Sequence, residues 1–160
     1  IVMEVSKSDL AEKIRACGLT PTAQRIAILK DLMSRKDHPS ADTVYRTLKD
    51  EHPTLSLNTI YMNLMRFAEK GVILKINVLH ESARFDGDIS PHHHFVCVRC
   101  KKIVDLHNIR MPKITIPKEL GAATIFHHQL RLNGICEKCE GKGALSERKP
   151  RKTQRVSLHA

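Results

Sequence analysis

Two Cys-x-x-Cys pairs, Cys97 with Cys100 and Cys136 with Cys139, restrict this chain more than any other feature. Two thiolates at that spacing can grip one ion from a tight turn, and two such pairs complete a tetrahedral zinc set. The stretch between them, residues 101–135, is longer than a single zinc finger uses, so the ion would staple two distant turns of one domain. Four thiolates leave no open coordination position, which makes such a zinc structural rather than catalytic. Buried free thiols or a redox disulfide are the competing readings. Cys17 stands alone and is expected to be a helix-buried thiol.

The first pair is entered through Pro91-His92-His93-His94-Phe95-Val96. In an extended strand alternate residues share a face, so His92 and His94 point one way and His93 and Phe95 the other. The strand therefore offers an edge of two imidazoles, and His93 is read as sheet surface.

The helical signals all lie upstream. Ser8 is positioned to cap a helix over residues 9–17 that ends at Gly18, and Thr20-Pro21 opens a second over 22–34 with Ile26, Leu29 and Met33 on its apolar face. Ser40 caps a third, which stops near His52-Pro53 because the residue before proline disfavours helix. Ser56 caps a fourth over 57–70, closed by Gly71, with Ile60, Leu64 and Phe67 as its buried seam. Residues 72–79 and 84–86 then read as a hairpin. Helices closed by a two-stranded hairpin describe a winged helix-turn-helix, whose last helix enters the DNA major groove. Asn58, Tyr61, Met62 and Arg66 form the outer side of that helix: Asn58 is suited to an adenine edge, Tyr61 to a thymine methyl, Arg66 to a phosphate or guanine.

Beyond the histidines, residues 102–107 read as a strand with Ile103, Asp105 and His107 on one face, 117–120 as a short helical turn, and 124–132 as an alternating strand. The fold class is therefore α+β: an N-terminal winged helix-turn-helix DNA-binding domain over residues 1–83, a small zinc-stapled α/β metal-binding and dimerisation domain over 84–140, and a basic tail over 141–160 expected to be disordered. The formal charge of +10 is uneven, with six Lys/Arg against one Glu in residues 141–160. A basic body of this size suggests an anionic partner, nucleic acid before acidic membrane, although solubility alone also accounts for charge. No apolar run resembles a signal peptide or spans a bilayer, so a cytoplasmic protein with reduced thiols is expected and no membrane partner.

Together, Gly18…Thr22-x-Gln24-Arg25, Ser56-Leu57-Asn58-Thr59-Ile60-Tyr61, His92-His93-His94-x-x-Cys97-x-x-Cys100 and Cys136-x-x-Cys139 resemble the ferric uptake regulator family over roughly residues 8–140. The resemblance implies a homodimeric, metal-responsive repressor that binds inverted-repeat double-stranded DNA, with structural Zn(2+) at Cys97, Cys100, Cys136 and Cys139. It also implies a regulatory site of His38, Asp86, His92, His94 and Asp105. Three imidazoles and two carboxylates form a mixed N/O set that suits Fe(2+) or Mn(2+). Aspartates at positions 86 and 105 look like the peroxide-sensing branch, in which Fe(2+) catalyses oxidation of ligand histidines, whereas iron-level sensors more usually carry glutamates. Several positions depart from the family pattern. Met62 stands where many members carry Arg or Asn, Pro91 and His93 replace ligands of an extra metal site of which His128 is the one matching remnant, and the proline-rich 111–117 replaces part of a longer dimerisation helix. The rival readings are an iron-level-sensing repressor of uptake genes and, more remotely, a zinc-dependent nuclease. Histidines beside Cys-x-x-Cys suit the latter, but a closed four-cysteine site without a paired base and nucleophile argues for a protein that is not an enzyme.

Overall fold

The computed structural model describes residues 6–78, 81–109, 118–124 and 130–141. Four helices come first: α1 (Lys7–Ala16), α2 (Ala23–Met33), α3 (Ala41–Leu48) and α4 (Leu57–Glu69). Each begins with a hydroxyl side chain that accepts from the backbone N–H three residues on, namely Ser6, Thr22, Ser40 and Ser56. At α1 this corrects the expected Ser8 cap. Asp9 lies three residues after Ser6 and accepts from the Ser6 backbone in return, closing a reciprocal box, while Ser8 falls inside the helix.

The helices share one core, in which Leu10, Ile14, Ile28, Leu29, Leu32, Val44, Ile60, Leu64 and Phe67 are all buried. Cys17 caps α1 and packs against this core partly buried, rather than lying wholly inside it. No helix among the described residues is long and apolar enough to cross a membrane.

The wing is shorter than the sequence suggests. β1 (Leu74–Ile76) pairs antiparallel with β2 (Arg84–Asp86), whereas Val72 and Ile73 are buried in the helical core instead of extending the strand. Residues 79–80 of the expected strand and turn lie outside the described residues. Because β2 pairs with β1, the hairpin crosses the expected 83/84 domain boundary. β2 is also fastened to the loop before α3: Phe85 donates its N–H to the Pro39 carbonyl at 3.0 Å, and Ser40 bridges Arg84. That fastening sets His38 beside Asp86.

The second sheet has the order β4-β3-β5, with β3 (His93–Cys97) antiparallel to β4 (Ile103–Leu106) and parallel to β5 (Arg131–Gly134). A short 3-10 turn, Lys118–Leu120, stands where a helical turn was expected, and α5 (Glu137–Glu140) ends the described chain. Of the strand expected over 124–132, β5 takes up only the end, from Arg131, and continues to Gly134; Thr124 and Leu130 are not strand, and 125–129 lie outside the described residues. Asn133 and Gly134 pair with Val96 and Cys97, which brings the second cysteine pair level with the first. The absence of a side chain at Gly134 leaves room for the Phe95 ring, since a Cβ there would stand 3.0 Å from it. Residues 111–117 and the tail from 142 also lie outside the described residues. Ile76 and Val78 of the wing share a small core with Val96 and Ile103 of the second sheet, and Arg131 donates to the Asn77 carbonyl. The two halves therefore meet along the wing.

Just after β2, a Cβ at Gly87 would lie 3.0 Å from the Met33 Cα and 3.2 Å from the Leu32 carbonyl oxygen. Backbone cannot yield there as a side-chain tip would. Gly87→Ala should therefore destabilise the protein by about 1–3 kcal/mol, the usual cost of overpacking. Denaturant unfolding checks it, and an unchanged midpoint would show that the turn moves freely.

Candidate metal centres

β3 runs straight into the first cysteine turn, and its parallel partner β5 leads into the second. The Val98 N–H donates to the Gly134 carbonyl at 2.8 Å, and Arg99 donates to the Cys139 carbonyl at 2.9 Å, so the two turns are held face to face. The sulfurs of Cys97, Cys100, Cys136 and Cys139 all lie within 4.8 Å of one another. Cys100 and Cys136 sulfurs are 3.6 Å apart. A disulfide needs about 2.05 Å; sulfurs around a tetrahedral zinc, each about 2.3 Å from it, stand ~3.8 Å apart.

Charge points the same way. Burial would raise the Cys97 thiol, but the backbone N–H groups of Cys100, Cys136 and Arg99 outweigh it and bring its pKa down to about 6. Interaction with the sulfurs of Cys136 and Cys100 pushes Cys139 up to about 12. A second thiolate is thus resisted once the first has formed, which is the repulsion a divalent cation removes.

The other cluster is built on the cross-strand pair His94↔Asp105. His92 enters from just before β3, Asp86 from the end of β2, and His38 from the loop before α3. Asp86 Oδ2 lies 2.9 Å from His92 Nε2, 3.3 Å from His94 Nε2 and 3.4 Å from His38 Nε2. Asp105 Oδ1 lies 2.7, 3.8 and 3.6 Å from the Nε2 atoms of His38, His92 and His94. The three imidazoles and Asp86 are buried, and the Asp105 side chain is 13% exposed. Donors about 2.1 Å from one ion stand roughly 3.0 Å apart when adjacent, so this spacing is that of a coordination shell.

Alignment separates this cluster from an ordinary hydrogen-bond network. His38 Nε2 and Asp105 Oδ1 are 2.7 Å apart, yet both are buried atoms without a hydrogen bond, as is His38 Nδ1. Each such orphan costs about 1–3 kcal/mol, which a cation at the centre would relieve for His38 Nε2 and Asp105 Oδ1. Burial raises the pKa of Asp86, but the neighbouring imidazoles of His38 and His94 and the Asp88 backbone N–H pull it well below the usual carboxylate range, so Asp86 is an anion ready to ligate. Burial disfavours charge on His38, but Asp86 and Asp105 outweigh it and raise its pKa. His92 Nδ1 lies 2.8 Å from the Ser90 carbonyl, a contact that fixes the tautomer by donating there and leaves Nε2 for the cluster. His93 faces away, where its Nδ1 accepts from the Leu130 N–H at 3.3 Å.

Among the described residues, the two non-glycine positions with left-handed backbone are His38 (φ 49°) and Lys101 (φ 61°), one at each cluster. Strain of this kind persists where the surroundings overdetermine it. For His38 those surroundings include Arg35, which sequence reasoning missed. Its guanidinium grips both Asp37 oxygens at 2.9 and 2.7 Å and donates to Thr47 at 3.0 Å, so it ties the His38 loop to α3. The Arg35-x-Asp37 spacing next to a loop histidine was the available signal.

On α4, Asn58, Tyr61, Met62 and Arg66 are all exposed on one side, with Tyr61 44% and Met62 49% accessible. Arg25 of α2 donates to the Asn63 side chain at 3.0 Å, which fixes that helix from behind.

A winged helix-turn-helix joined to a sheet with a four-cysteine cluster, and a His/Asp cluster along the seam, defines the class. The sequence profile of the ferric uptake regulator family matches residues 16–133. Relatives agree with it. The peroxide operon regulator of Bacillus subtilis is 34% identical over 135 residues, covering 84% of this chain and 93% of that protein. The Campylobacter jejuni peroxide stress regulator superposes with a TM-score of 0.58 at 30% identity over 72% of this chain and 88% of that one. The Helicobacter pylori ferric uptake regulator shares the fold at a TM-score of 0.66 and 16% identity, over 90% and 100% of the two chains. The chain belongs to the ferric uptake regulator family.

The four-sulfur geometry generates a test. Cys136→Ser is expected to lose one tightly held zinc per chain and, with it, the ordered second sheet, because structural zinc binding is coupled to folding. Elemental analysis with circular dichroism reads both, and a folded zinc-free variant would contradict it.

Proposed function

We propose that the chain is a metal-dependent DNA-binding repressor that senses peroxide. In this reading Zn(2+) at Cys97, Cys100, Cys136 and Cys139 holds the second sheet, while Fe(2+) or Mn(2+) at His38, Asp86, His92, His94 and Asp105 is regulatory. A homodimer presents two α4 helices to an inverted-repeat duplex. The observation that carries the proposal is the convergence of five buried donors from four chain segments, one of them the loop that leads into the DNA-binding helix pair. His38 and Asp86 belong to the winged-helix half, and His92, His94 and Asp105 to the second sheet. An ion held by all five therefore restricts how the halves sit, and favours whichever arrangement it binds best.

Peroxide as the signal is supported by the names of the Bacillus subtilis and Campylobacter jejuni relatives and by aspartates at 86 and 105. A ferrous ion in this set would supply an electron to hydrogen peroxide and so generate an oxidant in place. The chain's part is to admit the peroxide, exclude bulk water and present an oxidisable ring. Asp105 is the most exposed of the five, and the ring in closest contact with it is that of His38. His92 is the second candidate. Overall, a ring C–H carbon gains one oxygen in a two-electron oxidation, balanced by reduction of one peroxide to water. The oxidised ring is a poorer donor, the halves separate and DNA is released.

Two measurements test the reading. Mass spectrometry of peptides from Fe(2+)- and Mn(2+)-loaded protein after brief peroxide should find one added oxygen on His38 or His92 in the iron form alone, with DNA released in step. Unmodified histidines with peroxide-insensitive DNA binding would replace the peroxide signal by iron level. On a duplex selected by the protein from a random pool, Arg66→Ala should weaken binding to all sequences and lower the salt slope by about one. Tyr61→Ala should narrow the gap between selected and scrambled duplexes. Equal affinities for the two duplexes in the parent protein would remove α4 as the reading helix.

A further inference from the structure

Asp88, His92 and His107 form a second group of possible metal donors, all within 4.8 Å of one another. The pairing of β3 with β4 explains it. His94 lies opposite Asp105 and His93 opposite Leu106, so one step further along the same ladder His107 comes opposite His92. Alternation puts His92 and His94 on one side of β3, with Asp105 and His107 on the matching side of its partner. One rung, His94 with Asp105, belongs to the regulatory cluster. The next has no role in it except through His92. The His92 and His107 ring centroids are 5.2 Å apart with planes 34° from parallel. Asp88, two residues beyond Asp86, completes the group from the turn after β2, where its Oδ1 accepts from the Ser90 backbone and hydroxyl at 2.9 and 2.6 Å. Those bonds orient the carboxylate and leave its other oxygen available.

Burial grades across the two groups in one direction. His107 is exposed, Asp88 half-buried, and His92 only 4% exposed with its Nε2 2.9 Å from both Asp86 Oδ2 and His94 Nε2. We infer that Asp88, His92 and His107 are an outer metal site through which a divalent transition-metal ion enters the regulatory cluster. Two imidazoles and one carboxylate suit a borderline divalent ion and leave its remaining positions for water, as capture from solution requires. His92 Nδ1 faces the Ser90 carbonyl at 2.8 Å, so the ring has one nitrogen to give, and one ion at a time can hold it. The outer and inner sites therefore share His92 and fill alternately, so that the ring passes the ion inward. The passage inward rests on reading the inner cluster as a metal site, whereas the outer site does not.

Co(2+) is the probe, because its visible absorption reports the donors around it, and the protein is the full chain with its cysteine zinc in place. Asp88→Asn and His107→Gln alter half-buried and exposed side chains that are not among the five regulatory donors. The pair of substitutions should slow Co(2+) uptake by about tenfold or more in stopped flow, while the final spectrum and one-to-one stoichiometry stay as in the parent. In the converse variant, His38→Ala with Asp105→Ala, one Co(2+) should still bind, more weakly and with an altered spectrum, and adding His107→Gln should abolish it. Unchanged uptake rates, together with no Co(2+) bound by the His38/Asp105 variant, would overturn the outer site and leave the inner one standing. A parent protein whose single Co(2+) ignores the His38 and Asp105 substitutions but is lost with His107→Gln would do the reverse.

Discussion

Five lone-pair donors buried against one another at the seam between two half-structures set the terms for the rest of this molecule. Apolar packing cannot satisfy them, and they satisfy each other only in part: Asp86, His92 and His94 are hydrogen-bonded together, whereas His38 Nε2 and Asp105 Oδ1 touch at 2.7 Å without a hydrogen bond. Groups in that condition destabilise a fold unless a cation compensates them. The local structure around the seam is then intelligible as what is needed to hold the donors in place. The Phe85–Pro39 bond draws the His38 loop onto β2, Arg35 braces that loop against α3, and Gly87 lets the next turn lie directly on the end of α2.

The cysteine cluster has a different task and a different construction. It lies at the far end of β3, where the parallel pairing with β5 continues through Gly134 until the two cysteine turns are level. One strand thus carries the histidines at its start and a thiolate at its end. Its register fixes both sites at once, because a one-residue slip would turn His94 away from Asp105 and Cys97 away from its partners.

Much of this was legible in the residues. Hydroxyl caps and closing glycines gave four helices to within a few positions, since those signals are local. The alternation around His92 and His94 gave the buried edge. What was not legible depended on distant partners. The Ser6 cap won over Ser8 because of a reciprocal bond with Asp9. Val72 and Ile73 left the strand for the helical core, since apolar residues at a helix–strand junction serve either. Asn133-Gly134, a turn signal in isolation, became strand because β3 offered it a ladder. Asp88 and His107 drew no notice as donors because each looks ordinary alone, and only the β3–β4 register brings them beside His92. For the regulatory set, residue chemistry alone gave the two histidines of the strand. His38, Asp86 and Asp105 came from family resemblance, and the fold supplies the reason they belong together.

A device of this kind makes one thermodynamic demand. If the ion and DNA both favour the same arrangement of the two halves, each must tighten the other's binding by the same factor. The direct measurement is the Mn(2+) affinity of zinc-loaded protein with and without its selected duplex, set beside the duplex affinity with and without Mn(2+). The account predicts two equal ratios well above one, both reduced in His38→Ala and falling to one when Asp86→Ala is added, which removes both donors of the winged-helix half. A duplex affinity indifferent to Mn(2+), or coupling that survives the loss of both His38 and Asp86, would contradict it.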